Sequence, residues 1–510
     1  MTQDPWDVVI IGSGAGGGTL AQRLASTGKR ILLLERGDFI PREKANWDVD
    51  EVVQKGRYRA KEAYRDREGK PFEPFTHFCV GGNTKLYGAA LLRLRETDFV
   101  ESRHFDGVSA AWPIAYQDLE PYYTQAEQLY SVHGQRGLDP CDPPSSRPYP
   151  YGPVAHEPRI AELARRFVDI GLHPFPIPLA VRLPQDVPGA HAPVTLGLFD
   201  GFPDPTETKA DAHVVGVNSA LTHPNFSLWT GAYAERIVTS ASGREVESVI
   251  VRRGGESITV RAQLVVVACG AIQSAALFLR SASAAHPQGL ANRSGQVGRN
   301  YMCHNNGALI AYSDVPNPSE FQKTFAITDY YHGAPDSPYP LGSIQLMGRS
   351  DLITLRDCFA SVLPERTPAE LAAHTIDFWL TAEDLARPEN RVVLAGDGTV
   401  CVHYRKTNTE AYARLKRALI QKIEQAEPNA QHAFSGYELG VQGVSHQCGT
   451  LRFGADPSSS VLDPFCRAHE LDNLYVVDSS FFCSSGAVNP SLTIMANALR
   501  VGDHLTERLQ

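Results

Sequence analysis

The chain has 510 residues, 43% of them hydrophobic and 21% charged, which suits a folded protein with room for two or three cores. A net charge of −9 without any Lys/Arg block argues against a nucleic-acid partner. Nine cysteines without regular spacing make neither a disulfide framework nor a zinc ribbon nor a c-type haem site, and favour a reducing, cytoplasmic setting.

The opening "MTQDPWDVVIIGSG" has no basic leader and enters a strand pattern by about residue 7. "WDVVIIGSGAGGGTLAQRLASTGKRILLLERG" then reads as a βαβ unit. Val8 to Ile11 form a buried strand, and Gly12, Gly14 and Gly17 supply a GxGxxG turn. Leu20 and Leu24 mark one face of the following helix, Gly28 ends it, and Ile31 to Leu34 form a second strand with Glu35 at its end. The first glycine permits the tight turn, the second lets backbone approach a pyrophosphate, and the third allows close helix–strand packing. The helix N-terminus offers free N–H groups to that pyrophosphate, and an acid at the end of the second strand suits a ribose diol. This motif predicts a dinucleotide site without deciding between NAD and FAD.

Next comes "FCVGGNTKLYGAALLRLRETDF" (78–99), with a second glycine pair, Gly81 and Gly82. The proline-rich "PCDPPSSRPYPYGP" near 140–153 is too rigid for a helix or an inner strand and reads as a surface connection, with a lid role open to it. "QLVVVACGAIQSAALFLRS" is a buried strand running into a Gly-Ala turn and a helix; Gly270, Gln273 and Ser274 interrupt it too often for a membrane span. From about 308 to 436 the pattern changes. "GSIQLMG", "TIDFWLT" and "RVVLAGDGTVCVHYR" read as strands, the last a hairpin turning at Asp397-Gly398. "TEAYARLKRALIQKIEQAE" is a helix with Leu415, Leu419 and Ile423 on one face. Together they predict an antiparallel sheet backed by helices. The C-terminal region holds "VSHQCGTLRFG" (444–454), then "NLYVVDSSFFCSSGAVNPSLTIMANAL", a strand ending at Asp478, a loop, and a helix starting near Pro490.

In this order, the N-terminal glycine motif, "GGNTKLYGAALLR", "WPIAYQDLEPYYTQAEQLY", "GAIQSAALFLRS", "VGRNYMCHN", "SHQCGTLRFG" and "NLYVVDSSFF…VNPSLTIMANAL" resemble the glucose–methanol–choline (GMC) family of FAD-dependent oxidoreductases. The resemblance implies an α/β and α+β fold. A Rossmann-like FAD-binding domain spans 1–307 plus 437–510, with a lid or connection near 140–225, and a substrate domain on an antiparallel sheet spans 308–436. It also implies that Gly12, Gly14, Ala15, Glu35 and Arg36 hold the pyrophosphate and adenosine side of FAD, with Ala234 near the adenine and Ala268 beside the turn. Gly81, Gly82, Asn83, Thr84 and Gly88 would face the flavin, Asp478 would meet ribityl or pyrophosphate oxygens, and the helix after Asn489-Pro490 would point at the pyrimidine end of the isoalloxazine. A helix N-terminus there suits the negative charge of a reduced flavin. Ala275 stands for a usual proline, Phe453 for a common methionine, and Tyr87 where many members have Asn or Trp.

Oxidising an alcohol requires a proton acceptor with a pKa near working pH and a donor for the developing alkoxide. By resemblance His446 is that acceptor and Asn489 its partner; no metal is expected. His304 reads as structural, and His77, just before the glycine pair, is unassigned. Leu86 occupies the position at which some relatives carry a flavin-linking histidine, so FAD is expected to bind non-covalently. The activity expected is oxidation of a small-molecule alcohol, leaning toward a sugar, glycoside or polyol, with oxygen or a soluble carrier or quinone as electron acceptor, oxygen favoured, and no membrane anchor. The rival readings are a non-redox flavin lyase of the same fold, a flavin-binding structural or regulatory protein without turnover, and oxidation of an aryl or other non-sugar alcohol.

Overall fold

The computed structural model describes residues 5–186, 198–204 and 206–510. Part of the connection expected near 140–225, residues 187–197 and 205, lies outside them.

The N-terminal apolar run forms the strand Trp6–Ile11, and four further parallel strands assemble around it. Their order across the sheet is Phe226–Trp229, Ile31–Leu34, Trp6–Ile11, Ala262–Val267, Leu474–Val476. Numbered along the chain this is 3-2-1-4-5, the doubly wound order in which a ligand sits outside the carboxyl ends of the strands where the winding reverses. That reversal lies between Trp6–Ile11 and Ala262–Val267, whose registers pair Ile11 with Val267. Strands buried on both faces read as continuous apolar runs, which is why "VVII", "ILLL" and "LVVV" carry no alternation. The helix Ala15–Ala25 packs against the last helix, Ser491–Arg508.

The second layer is a six-stranded antiparallel sheet in the order His432–Glu438, Asn305–Ser313, Thr375–Ala382, Ser343–Leu346, Phe325–Ile327, Phe175–Pro176. On one face Leu309, Ile344, Phe378 and Leu380 pack against Leu415, Leu419 and Ile423 of the helix Thr409–Ala426. Ile160, Leu163 and Phe167 of the helix Pro158–Asp169 complete this core.

Two expectations change. The strands Asn305–Ser313 and His432–Glu438 run through the boundaries placed at 307/308 and 436/437, and the sheet also recruits Phe175–Pro176 and a helix from the connecting region. Long-range pairing, which local pattern does not encode, decides this. The hairpin around Asp397-Gly398 forms as predicted, but it belongs to another sheet, where Cys401 pairs with Arg65. Its own apolar pattern specifies a hairpin and leaves the partner open.

Candidate active site

Between the carboxyl ends of the parallel strands and the open face of the antiparallel sheet lies a cavity of about 570 Å³, within the range of ligand sites. Three uncapped N-termini open on it: those of the helices Ala15–Ala25, Ala271–Arg280 and Ser491–Arg508, whose preceding residues Gly14, Gly270 and Pro490 provide no side-chain cap. None has an acidic residue in its first turn. Unpartnered N–H groups and the positive end of each helix dipole therefore face one space, a setting for anionic groups.

The glycines divide their tasks. A side chain at Gly12 would overlap the Ala268 carbonyl, and its φ of +101° suits glycine; one at Gly17 would overlap the Gly12 carbonyl. Those two glycines serve packing. A Cβ at Gly14 meets nothing within 4 Å, so this glycine leaves room for a ligand. Glu35 lines the cavity, and its carboxylate accepts from the Ser13 N–H (3.1 Å), the Ser13 hydroxyl (2.6 Å) and the Gly37 N–H (2.9 Å). Burial nevertheless raises its pKa above the ordinary value. Arg36 pairs with Glu62 at 2.7 Å, and its guanidinium lies 4.2 Å from the Phe78 ring centroid and 4.5 Å from that of Tyr233, beside Ala234.

Ala15, Gly82, Asn83, Thr84, Gly88, Ala234, Ala268, Asp478, Asn489 and Pro490 also line the cavity. Gly81 does not: it packs against His213 and Lys85, and its N–H donates to the Ser13 hydroxyl at 3.0 Å, tying the second glycine pair to the first. Gly88 is a glycine for a local reason, since a side chain there would overlap Asp200, whose ion pair with Lys323 (2.7 Å) crosses the cavity wall. Asp478 accepts from the hydroxyls of Ser274 and Ser480 and from the N–H groups of Gly270 (3.1 Å) and Ser480 (2.9 Å), so it organises the helix N-terminus beside it. His77 donates from Nδ1 to the Tyr58 carbonyl at 2.7 Å, and burial lowers its pKa to about 4.

At the junction of the two sheets stand His446 and Asn489. A short ladder pairs Met302 with Cys448 and Cys303 with Gln447, and the same register carried one step further sets His304 opposite His446. The two Nδ1 atoms are 2.9 Å apart, and His304 Nε2 is 3.0 Å from the Ser485 carbonyl. A carbonyl only accepts, so His304 carries its proton on Nε2 and its Nδ1 is an acceptor. His446 must then donate from Nδ1. Its Nε2, without a partner among the described residues, is left with a free lone pair. Asn306 Nδ2 lies 3.2 Å from His446 Nδ1 and its buried Oδ1 has no partner among the described residues; turned over, the amide presents its oxygen to the Nδ1–H. His446 is enclosed by protein but keeps part of its ring open to the cavity. Burial, with His304 and Lys323 nearby, holds its pKa well below the usual 6.5, so the imidazole is neutral. Asn489 accepts from Gln345 Nε2 at 2.6 Å, which leaves its amide N–H₂ for a ligand. His304, Asn306, Gln345 and the Asp200–Lys323 pair are additions to the sequence reading. "YMCHNN" and "SHQC" contain the signal for the first two, but only the ladder joins them.

GMC oxidoreductase models match residues 178–306 and 368–498, and an NAD(P)-binding Rossmann-like domain model matches 10–42. A 6'''-hydroxyparomomycin C oxidase from Streptomyces lividus is 34% identical over 99% of this chain and 92% of its own. The chain belongs to the GMC oxidoreductase family. A paromamine 6'-oxidase from Streptomyces fradiae is 32% identical over 97% of this chain and 90% of its own. The crystal structure of a pyridoxine 4-oxidase shares the fold, with a TM-score of 0.69 at 18% identity over 98% of this chain and 99% of that one. Membership makes the protein an FAD-dependent enzyme acting on CH–OH groups, and the fold is the mixed one expected. The three open helix N-termini and the vacant side of Gly14 fit that cofactor. Among the described residues no helix is long and apolar enough to cross a membrane.

Proposed function

We propose that this GMC oxidoreductase oxidises a hydroxyl group of a sugar, glycoside or related polyol, with His446 as proton acceptor. The observation that carries this reading is the free Nε2 lone pair of His446, which faces the same cavity as an Asn489 amide whose oxygen is already engaged. One group takes the hydroxyl proton, and the other donates to the same oxygen as negative charge grows on it. When bound, FAD supplies the hydride acceptor. The relatives named for oxidation of paromamine and a hydroxyparomomycin support a substrate of the glycoside class. Their being oxidases also favours oxygen as the acceptor here. Gly14, Ala15, Glu35, Arg36, Gly82, Asn83, Thr84, Ala234, Ala268, Asp478 and Pro490 would hold the cofactor, Gly12 would serve it by closing the turn against Ala268, and Gly81 would act through Ser13. Leu86 offers no nucleophile for a covalent link, so acid precipitation should release all flavin to the supernatant, and yellow colour retained in the pellet would contradict this. Nine free thiols suit a reducing, cytoplasmic setting.

The test is anaerobic mixing of holoenzyme with a panel of glycosides, polyols and aryl alcohols, followed by admission of air. Flavin bleaching by glycosides and peroxide formation in air are expected. A flavin that stays yellow with every alcohol would sink the redox reading, and bleaching by aryl alcohols alone would sink the choice of substrate class.

A further inference from the structure

The open face of the antiparallel sheet holds a feature that neither the family chemistry nor core packing uses. In Thr375–Ala382, Ile376, Phe378 and Leu380 belong to the helix-backed core, so alternation sets Thr375, Asp377, Trp379 and Thr381 on the opposite face. The register puts Trp379 opposite Ala308, Ala308 opposite Tyr437 on its other side, and Gln345 opposite Trp379. Residues paired in this way share a face, so one row across four strands reads Tyr437, Ala308, Trp379, Gln345. Tyr437, Trp379 and Gln345 all line the cavity. Small, buried Ala308 separates the two rings by two strand spacings, about 10 Å along the sheet.

Neither ring joins a hydrophobic cluster, and Tyr437 is 36% exposed. Neither the indole N–H nor the phenol O–H has a hydrogen-bond partner among the described residues. Trp and Tyr inside proteins ordinarily find partners for these groups. An apolar ring face next to an unused donor matches a ligand that is apolar on one side and hydroxylated at its edge. A pyranose ring has that character: axial C–H bonds form an apolar face, and equatorial hydroxyls ring it. A linear alcohol lacks the face, and a plain aryl alcohol lacks the hydroxylated edge. At the far end of the row, Gln345 holds Asn489, so the platform leads directly to the reacting position.

We infer that Trp379 and Tyr437 form a sugar-binding platform, with a pyranoside ring lying along the row. Its C–H face rests on the Trp379 indole, ring hydroxyls meet the free donors, and the hydroxyl to be oxidised is directed to Asn489 and His446. This rests on the alcohol-oxidation reading above. Rapid-mixing reduction of Trp379→Ala holoenzyme by a methyl hexopyranoside should show a dissociation constant raised about tenfold or more, with the limiting rate within a few-fold of the parent. The response to a linear diol should be unchanged, and Trp379→Phe should restore most of the pyranoside affinity. Tyr437→Phe should weaken pyranosides by a smaller factor. In the dithionite-reduced parent, the same pyranoside should change tryptophan emission saturably, a measurement that needs no variant. An unchanged pyranoside constant in Trp379→Ala, an equal loss for the linear diol, or no emission change in the parent would each overturn the platform. A parent enzyme bleached by linear or aryl alcohols and not by pyranosides would also overturn it while leaving alcohol oxidation intact; one bleached by no alcohol would remove the reading beneath it.

Discussion

The two halves of the cavity offer a ligand different kinds of group. On the parallel-sheet side the main chain does most of the work: open N–H groups at helix ends, and glycines that let a ligand approach or let strands and helices touch. On the antiparallel side recognition lies in side chains, set by which face each strand turns to the cavity and by what stands opposite across the ladder. A backbone-built site is written in glycine spacing, because each glycine answers a local steric demand. A side-chain-built site is written in register, which no short window of sequence contains. His446 stands where the two meet.

The largest effect should come from breaking that junction. His446→Ala is expected to keep its fold and FAD while slowing flavin reduction by on the order of 10²–10⁴. Asn489→Ala should also slow it, and the double variant should lose less than the product of the two effects, since both groups act on one oxygen. Reduction within a few-fold of the parent, normalised to bound FAD, would make His446 a packing residue.

A sharper cut removes only the tautomer control. His304→Leu should slow reduction, by no more than losing the base outright, because imidazole protonated on Nε2 cannot accept there. His304→Asn, which keeps an acceptor near the position of Nδ1, should recover most of the rate. ¹⁵N spectra of histidine-labelled parent enzyme should place the His446 proton on Nδ1; a proton on Nε2 would refute the assignment.

The cofactor half can be tested through its glycines. Gly14→Val should fold normally and lower FAD affinity by about tenfold or more, because its side chain fills space that the protein leaves open. Gly12→Ala should instead lower thermal stability, the positive φ alone costing about 1–2 kcal/mol. Calorimetry of the apoproteins beside flavin titration separates these cases, and equal behaviour of the two variants would end the division of tasks drawn above.

The smallest effect concerns pH. A base works above its pKa and is lost as pH falls through it, and the His446 pKa is pulled down mainly by burial. The acid limb of the reduction rate should therefore lie below the ordinary histidine value of 6.5. A limb centred near or above 6.5 would show that the site is more solvated than its enclosure indicates.

By itself the sequence determined the βαβ entry, the strand and helix pairs at 263–281 and 473–499, and, Gly81 aside, residues that do line the cavity. These follow from local demands: apolar runs that must be buried, glycines at positive φ, and uncapped helix starts. It also marked "SHQCG" as a site. Only the tertiary structure decided the rest. Antiparallel pairing carried the second sheet past 307 and 436 and brought in 175–176. A two-residue ladder made His304, read locally as structural, the partner of His446. Gly81 was turned away from the cavity by its bond to Ser13. The sequence marked "TIDFWLT" as a strand, but pairing with Ala308 and Tyr437 made the Trp379 position part of a row. The sheet cases share one physical reason: a hydrogen-bond ladder joins residues far apart in the sequence, and its register fixes the neighbours of every side chain on the sheet.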